Sequence, residues 1–201
     1  MDAAAIVASI GSARVERSFA FLDLCGFTDF VDANGDAAGV TELRSLRSAV
    51  RDVAPRCGVR VDKWLGDGVM LVGVEIEPLV AAVLGIEEKV RREASLPLRA
   101  GVATGSVILL EGDDYVGRTV NLAARLCDRA EPGEVLAATD GWFQPPWVDW
   151  SQPTMMAIKG LVGPVEVVAL GVAASTGGDH RFIQSLLDSV TRGFRSRSHP
   201  G

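Results

Sequence analysis

The stretch that decides the fold is Val61-Asp62-Lys63-Trp64-Leu65-Gly66-Asp67-Gly68-Val69-Met70-Leu71-Val72. Two β-prone apolar runs flank Gly66-Asp67-Gly68, so the segment reads as a hairpin with a carboxylate at its tip. The glycines permit positive φ in the turn and let a bulky group approach the backbone closely. Alone, an acid between glycines is an ordinary turn. A second acidic strand end gives it interest: Phe19-Ala20-Phe21-Leu22-Asp23, followed by Cys25-Gly26-Phe27-Thr28.

Outward from the hairpin, Ser18 to Leu24 has strand length. After Gly26, Thr28 is placed to cap a helix. Val40, Leu43, Leu46, Val50 and Val53 then recur at helical spacing, with Arg and Glu on the opposite face, until Pro55 and Gly58 end the run. Beyond the hairpin, Pro78 to Arg92 reads as helix and Pro97 to Leu110 as strand, interrupted by Gly101 and Gly105. Val116 to Ala130 is a third helix, stopped by Pro132-Gly133, and Glu134 to Ala138 is a short strand. Gly141 to Gln152, rich in Trp and Pro, reads as irregular. Thr154 to Ile158 and Pro164 to Leu170 are candidate strands around Lys159-Gly160.

Strand, helix, hairpin, helix, strand is the order of the split βαβ unit. The predicted fold is therefore α+β, an α/β sandwich with a ferredoxin-like βαββαβ core and extra C-terminal strands. In that topology the first strand lies antiparallel to the second hairpin strand, which brings Asp23 beside Asp67. Residues 1–16 read as a lead-in, a short marginal helix or disordered. Residues 17–171 read as the domain, and 172–201 as a flexible linker with an amphipathic helix over Arg181 to Arg195.

Composition narrows the function. The 201 residues carry a net charge of −6, with 48% hydrophobic and 23% charged residues. That is ordinary for a soluble domain with a good core. The acidic balance argues against a general nucleic-acid binder, and the strands lack the exposed aromatic pairs that an RNA-binding ferredoxin-like domain uses for stacking. Cys25, Cys57 and Cys127 show no ligand spacing, and His180 and His199 lie in the tail. A zinc site or disulfide framework is not expected, and a reducing cytoplasm is. The N-terminus lacks a basic n-region, and no apolar run approaches the roughly 18 residues of a membrane span.

Two carboxylates converging without His or Cys suit a hard cation, Mg²⁺ or Mn²⁺. Beside them Gly26-Phe27-Thr28 opens a helix whose free N–H groups favour an anion. Together these can hold a polyphosphate. The third helix adds Asn121 and Arg125, four apart and so on one face; an arginine there can offset charge on a phosphoryl group in transition.

Phe21-Leu22-Asp23-Leu24-Cys25-Gly26-Phe27-Thr28, Lys63-Trp64-Leu65-Gly66-Asp67-Gly68 and Asp114-Tyr115-Val116-Gly117-Arg118-Thr119-Val120-Asn121-Leu122-Ala123-Ala124-Arg125-Leu126 resemble the class III nucleotidyl cyclase catalytic domain. Pro132-Gly133-Glu134-Val135 and Ile158-Lys159-Gly160 resemble its later segments. The likeness runs in order from Arg17 to Gly171. It implies that Asp23 and Asp67, with the Leu24 backbone carbonyl, bind two metal ions per active site. It further implies that Lys63 and Asp114 read the purine, Asn121 orients the ribose and Arg125 stabilises the transition state. Gly26, Phe27 and Thr28 fall at the phosphate loop, and Lys159 at a triphosphate-binding lysine, in a segment with fewer lysines than some relatives have.

The family works as a head-to-tail dimer with sites at the interface. Both half-sites occur in this one sequence, so a homodimer with two equivalent sites is implied, with ATP as substrate. Lys63 can only donate and Asp114 only accept, which matches the N1 acceptor and 6-amino donor of adenine and mismatches guanine. A guanylate cyclase and a catalytically silent cyclase-like dimerisation or regulatory module are the alternatives to an adenylate cyclase.

Overall fold

A computed structural model describes residues 13–112 and 114–173. The chain order is β1 (Ala13–Leu24), α1 (Phe27–Asn34), α2 (Asp36–Val53), a short 3-10 turn (Ala54–Cys57), β2 (Arg60–Leu65), β3 (Gly68–Gly73) and α3 (Ile76–Glu93). It continues with β4 (Leu98–Leu110), β5 (Asp114–Val116), α4 (Arg118–Arg129), β6 (Val135–Ala138), β7 (Val148–Trp150), β8 (Thr154–Met156) and β9 (Val165–Val172). Among the described residues the strands form one nine-stranded sheet, in the order β2-β3-β1-β4-β6-β9-β7, with β5 added to β4 and β8 to β9. This is the expected α+β cyclase-like architecture.

The central pairing is the one the hairpin predicts. β1 runs antiparallel to β3, with Asp23 opposite Gly68 and Phe21 opposite Met70. Its other edge pairs antiparallel with β4, Asp23 opposite Arg99. β4 and β6 are adjacent and parallel, joined through α4, so they add an ordinary βαβ unit beyond the β2-β3-β1-β4 core.

Because β-strand side chains alternate between faces, the sheet has two apolar surfaces. One carries Leu22, Leu24, Leu71 and Ala100 and is covered by α2 and α3 through Leu46, Val50, Leu79 and Val83. The other carries Phe19, Met70, Val72 and Ala103 and packs against Leu122, Ala123 and Leu126 of α4. The approach of α4 depends on Gly101: a β-carbon there would lie 2.1 Å from the Cys127 backbone nitrogen and 2.3 Å from the Ala123 oxygen. At position 101 no side chain fits between this helix and β4.

Several expectations change. β1 begins at Ala13, so residues 13–16 are strand and not a lead-in. The helix expected over 40–53 is α2, which begins earlier, at Asp36. The helix before it, α1, is a separate element parted from α2 at Gly35 with φ 83°, and Thr28 lies within α1 and does not cap it, the N-cap position being Gly26. α1 has no buried residue, so it leaves no apolar periodicity to read. Gly101 and Gly105 do not interrupt β4. Asp114–Val116 forms a strand in place of the first turn of the third helix, and the irregular Trp/Pro segment contains β7. The expected amphipathic helix over residues 181–195 lies outside the described residues, as do His180 and His199.

Candidate active site

Asp23 ends β1 and Asp67 sits in the turn between β2 and β3. The turn is built by two glycines with different tasks. Gly66 adopts φ 73°, which a side chain disfavours. Gly68 leaves space: a β-carbon on it would lie 2.8 Å from the Leu22 carbonyl oxygen and 3.3 Å from Asp23 Oδ1. The Leu24 backbone N–H donates to the Asp67 carbonyl at 3.3 Å, pinning the turn to the end of β1. Asp67 is half-buried, and burial is the main force raising its carboxyl above the usual range; the nearby negative charge of Asp23 adds to it. The two carboxylates therefore feel each other.

Arg99, on the neighbouring strand, was not among the residues picked out from sequence. Its Nη2 and Nε donate to Asp23 Oδ2 at 2.7 and 3.0 Å, and its Nη1 reaches the Asp128 carbonyl at 3.4 Å. A lone arginine at the second position of an apolar strand was the available signal. Its significance depends on the β1–β4 register, which puts it opposite Asp23. The network continues to α4, where Arg125 pairs with Asp128 at 3.3 Å.

The second pair lies on the face covered by α4. Lys63, in register with Met70, donates to Asp114 at 2.5 Å, and both side chains are 49% exposed. The lysine holds the Asp114 carboxyl below its ordinary range by hydrogen bond and charge. β5 reaches Lys63 by lying over this face: the Tyr115 ring meets Phe19 edge-on at 5.2 Å, and Arg60 donates to the Tyr115 hydroxyl at 3.3 Å.

Asn121 and Arg125 lie on the exposed side of α4, one turn apart, as expected. Gly26, in the left-handed region at φ 72°, precedes α1, so the N–H groups at Phe27 and Thr28 start a helix with no side-chain cap. Lys159 is exposed on the turn closed by the Leu161 N–H to the Ile158 carbonyl, while Ile158 is buried on the α4 face. It makes no hydrogen bond or ion pair with the other candidate residues among those described. The structure thus joins Asp23 with Asp67 and Lys63 with Asp114, sets Asn121 and Arg125 on one helix face, and leaves Lys159 apart.

The donor set fits a hard divalent cation of the magnesium type. Among the described residues no three His, Cys, Asp or Glu side chains cluster as a metal cage. Two acids at a strand-end turn are the kind of partial set with which Mg²⁺, retaining waters, also takes substrate phosphate oxygens. Asp67, raised by burial and by its acidic neighbour, has an electrostatic demand for a cation.

Two carboxylates beside an uncapped helix start on an α+β sheet are groups suited to a hard cation and an anion. No family model matches the chain. An uncharacterised protein of Mycobacterium bovis, Mb2235, is 40% identical over 159 residues, covering 77% of this chain and 41% of that protein. The "pH-sensitive adenylate cyclase MT1302" of Mycobacterium tuberculosis is 33% identical over 169 residues, covering 79% of this chain and 41% of its own. The chain thus spans about two fifths of these relatives' length. The adenylyl cyclase CyaB of P. aeruginosa superposes with a TM-score of 0.69 at 22% identity, covering 81% of this chain and 96% of that one. The guanylyl cyclase Cya2 superposes with a TM-score of 0.71 at 21% identity, covering 83% and 98%. The matched part of the chain is a class III nucleotidyl cyclase domain and carries that catalytic-domain fold. Among the described residues no helix is long and apolar enough to cross a membrane.

Proposed function

We propose that the chain is an adenylate cyclase that converts ATP to 3′,5′-cyclic AMP and pyrophosphate, at sites formed between two copies of the chain. In each site one copy supplies Asp23, Asp67, the Leu24 carbonyl and the Gly26–Thr28 helix start. The other supplies Lys63, Asp114, Asn121 and Arg125. The observation that carries the substrate assignment is the Lys63–Asp114 pair, a cation that only donates beside an anion that only accepts. Adenine offers the complementary acceptor and donor. Guanine offers the reverse, and a buried polar mismatch is strongly disfavoured.

Asp23, Asp67 and the Leu24 carbonyl would hold two Mg²⁺ or Mn²⁺ ions. When bound, such ions lower the pKa of the ribose 3′-hydroxyl and offset charge on the triphosphate. The remaining work belongs to side chains. Asn121 fixes the ribose so that its 3′-oxygen faces the α-phosphorus in line with the departing pyrophosphate. Arg125 and the α1 N–H groups stabilise the added negative charge as the 3′-oxygen–phosphorus bond forms and the bond to pyrophosphate breaks. Arg99 neutralises Asp23 in the unliganded chain and is placed to turn its guanidinium toward phosphate when the carboxylate takes a cation. Lys159 assists at the triphosphate from its exposed turn.

The exposed setting of Lys63, Asp114, Asn121 and Arg125 supports the dimer reading, because base and ribose recognition gains strength only when a second surface excludes water. The proposal is tested by assaying cyclic AMP formation from ATP with Mn²⁺ over a range of protein concentrations, beside Asp67→Ala and with GTP in parallel. ATP-specific turnover that rises with concentration and vanishes in Asp67→Ala is expected. Equal use of GTP would refute the base assignment, and cyclic AMP formation by Asp67→Ala would refute the metal assignment.

A further inference from the structure

On the opposite face of the sheet from Lys63, α2 turns Arg44, Arg47, Ser48 and Arg51 outward at i, i+3, i+4 and i+7, so the four share one side of the helix. They line an open groove of about 490 Å³ with Asp52. This concentration of positive charge stands out on a chain of net charge −6. Among the described residues, Arg44 and Arg51 pair with no acid.

The acids nearby are committed elsewhere. Asp52 accepts from Lys89 at 2.7 Å, and Arg56 adds further positive charge beside it. Glu42, also on α2, is buried and accepts from the Ser95 and Leu96 backbone N–H groups at 3.0 and 3.2 Å. Arg47 is held differently: its guanidinium carbon lies 5.0 Å over the Trp64 ring, and its Nε is sealed from solvent with no hydrogen-bond partner among the described residues.

We propose that this groove is a second anion site, which binds a diphosphate group. The argument is one of charge and geometry. Arg44 and Arg51 stand roughly 10 Å apart along the helix axis, with Arg47 and the Ser48 hydroxyl between them, so three guanidiniums and a hydroxyl donor can converge on two linked phosphates. Guanidinium forks match phosphate oxygens bidentately, and Arg is the residue suited to that recognition. The groove is tied to β2 through Arg47, whose guanidinium lies over the Trp64 ring, and the neighbouring Lys63 is in register with Met70 of the opposite cluster. An anion that draws Arg47 off the indole therefore alters the environment of the strand that carries Lys63 and leads to Asp67. The site is independent of the reaction proposed above.

The test uses the full chain in EDTA at fixed ionic strength, titrated with inorganic pyrophosphate, with sodium chloride as the control. Binding is followed by tryptophan fluorescence and by the arginine Nε–Hε NMR signals. A saturable response is expected, with the fluorescence part removed by Trp64→Phe and the NMR part retained. Arg44→Gln with Arg51→Gln, confirmed as folded by thermal melting, should weaken binding at least tenfold (on the order of one charged hydrogen bond). Arg125→Ala should bind as the unaltered chain does. ADP forms a second arm: tighter binding than pyrophosphate means that the diphosphate is read on a nucleotide, and weaker binding that it is read as the free ion. A linear response, a response matched by chloride, or one lost in Arg125→Ala but kept in the double variant overturns the proposal. None of these readouts depends on cyclase activity, so failure here and failure of the proposed reaction are separable.

Discussion

Asp23 and Asp67 meet at the ends of adjacent strands in the middle of the sheet, whereas Lys63 and Asp114 meet, half exposed, on the face that α4 covers. The first pair is set by backbone. A register, an inter-strand N–H···O bond and the missing side chain at Gly68 hold the acids side by side, with Arg99 as counter-ion. Burial raises the Asp67 carboxyl and the like charge of Asp23 adds to it, while the Arg99 guanidinium offsets part of that charge. The second pair is two opposite charges half in water, and exposed pairs of that kind contribute little to folding. The acid pair is organised within one chain; under the proposed function the Lys63–Asp114 pair reads a base only when another surface covers it.

That contrast can be broken by mutation. Asp67→Ala should have the largest effect, lowering cyclic AMP formation by at least about 10³-fold, since it removes a metal carboxylate from chemistry that depends on charge stabilisation. Lys63→Glu combined with Asp114→Cys should reduce kcat/KM for ATP by roughly 10²-fold and raise the GTP-to-ATP ratio; steady-state kinetics with both nucleotides checks it. Gly68→Ala should destabilise the fold by about 1–3 kcal/mol, because its β-carbon meets the Leu22 carbonyl and the Asp23 carboxylate, and a thermal melt reads this directly. Asp114→Asn should leave the melting temperature unchanged while weakening ATP use, the opposite balance to Gly68→Ala.

The smallest expected effect is on pH dependence without divalent cations. Asp67 has a folded-state pKa above its unfolded value, so folding takes up a proton there. Its contribution to stability is present below the unfolded pKa and is lost as pH rises through the raised one. Asp114, held low by Lys63, has the opposite sign: its contribution is present above the unfolded value and is lost as pH falls through the lowered one. Denaturant unfolding from the acid side to neutrality, with Asp67→Asn and Asp114→Asn, should show the first variant removing a decline just above the usual carboxylate range. The second should remove a rise just below it.

The central fold was legible because its signals were local and periodic. The Gly66-Asp67-Gly68 turn, the strand ending at Asp23 and the apolar spacing of α2 and α3 led to the right antiparallel neighbour for β1. That in turn placed Asp23 beside Asp67. Features set by tertiary contact were hidden. α1 has no fully buried residue, so Gly26-Phe27-Thr28 marked its start but no apolar periodicity marked its extent. Asp114–Val116 is strand because β4 offers an edge to pair with, a fact absent from the local sequence. Gly101 looked like an interruption and is instead the place where α4 touches β4. Arg99 acquires meaning only through the register that sets it against Asp23, and Arg47 only through the Trp64 ring beneath it.

The claim that each active site is shared between two copies is tested most directly by mixing two inactive variants, Asp67→Ala and Arg125→Ala. In a shared arrangement a mixed dimer keeps one site with both Asp67 and Arg125 intact, so cyclic AMP formation from ATP and Mn²⁺ should reappear on mixing, reaching a fraction of the unaltered chain's activity and rising with protein concentration. A mixture as inactive as its components, with the chains shown to exchange subunits, would contradict the account.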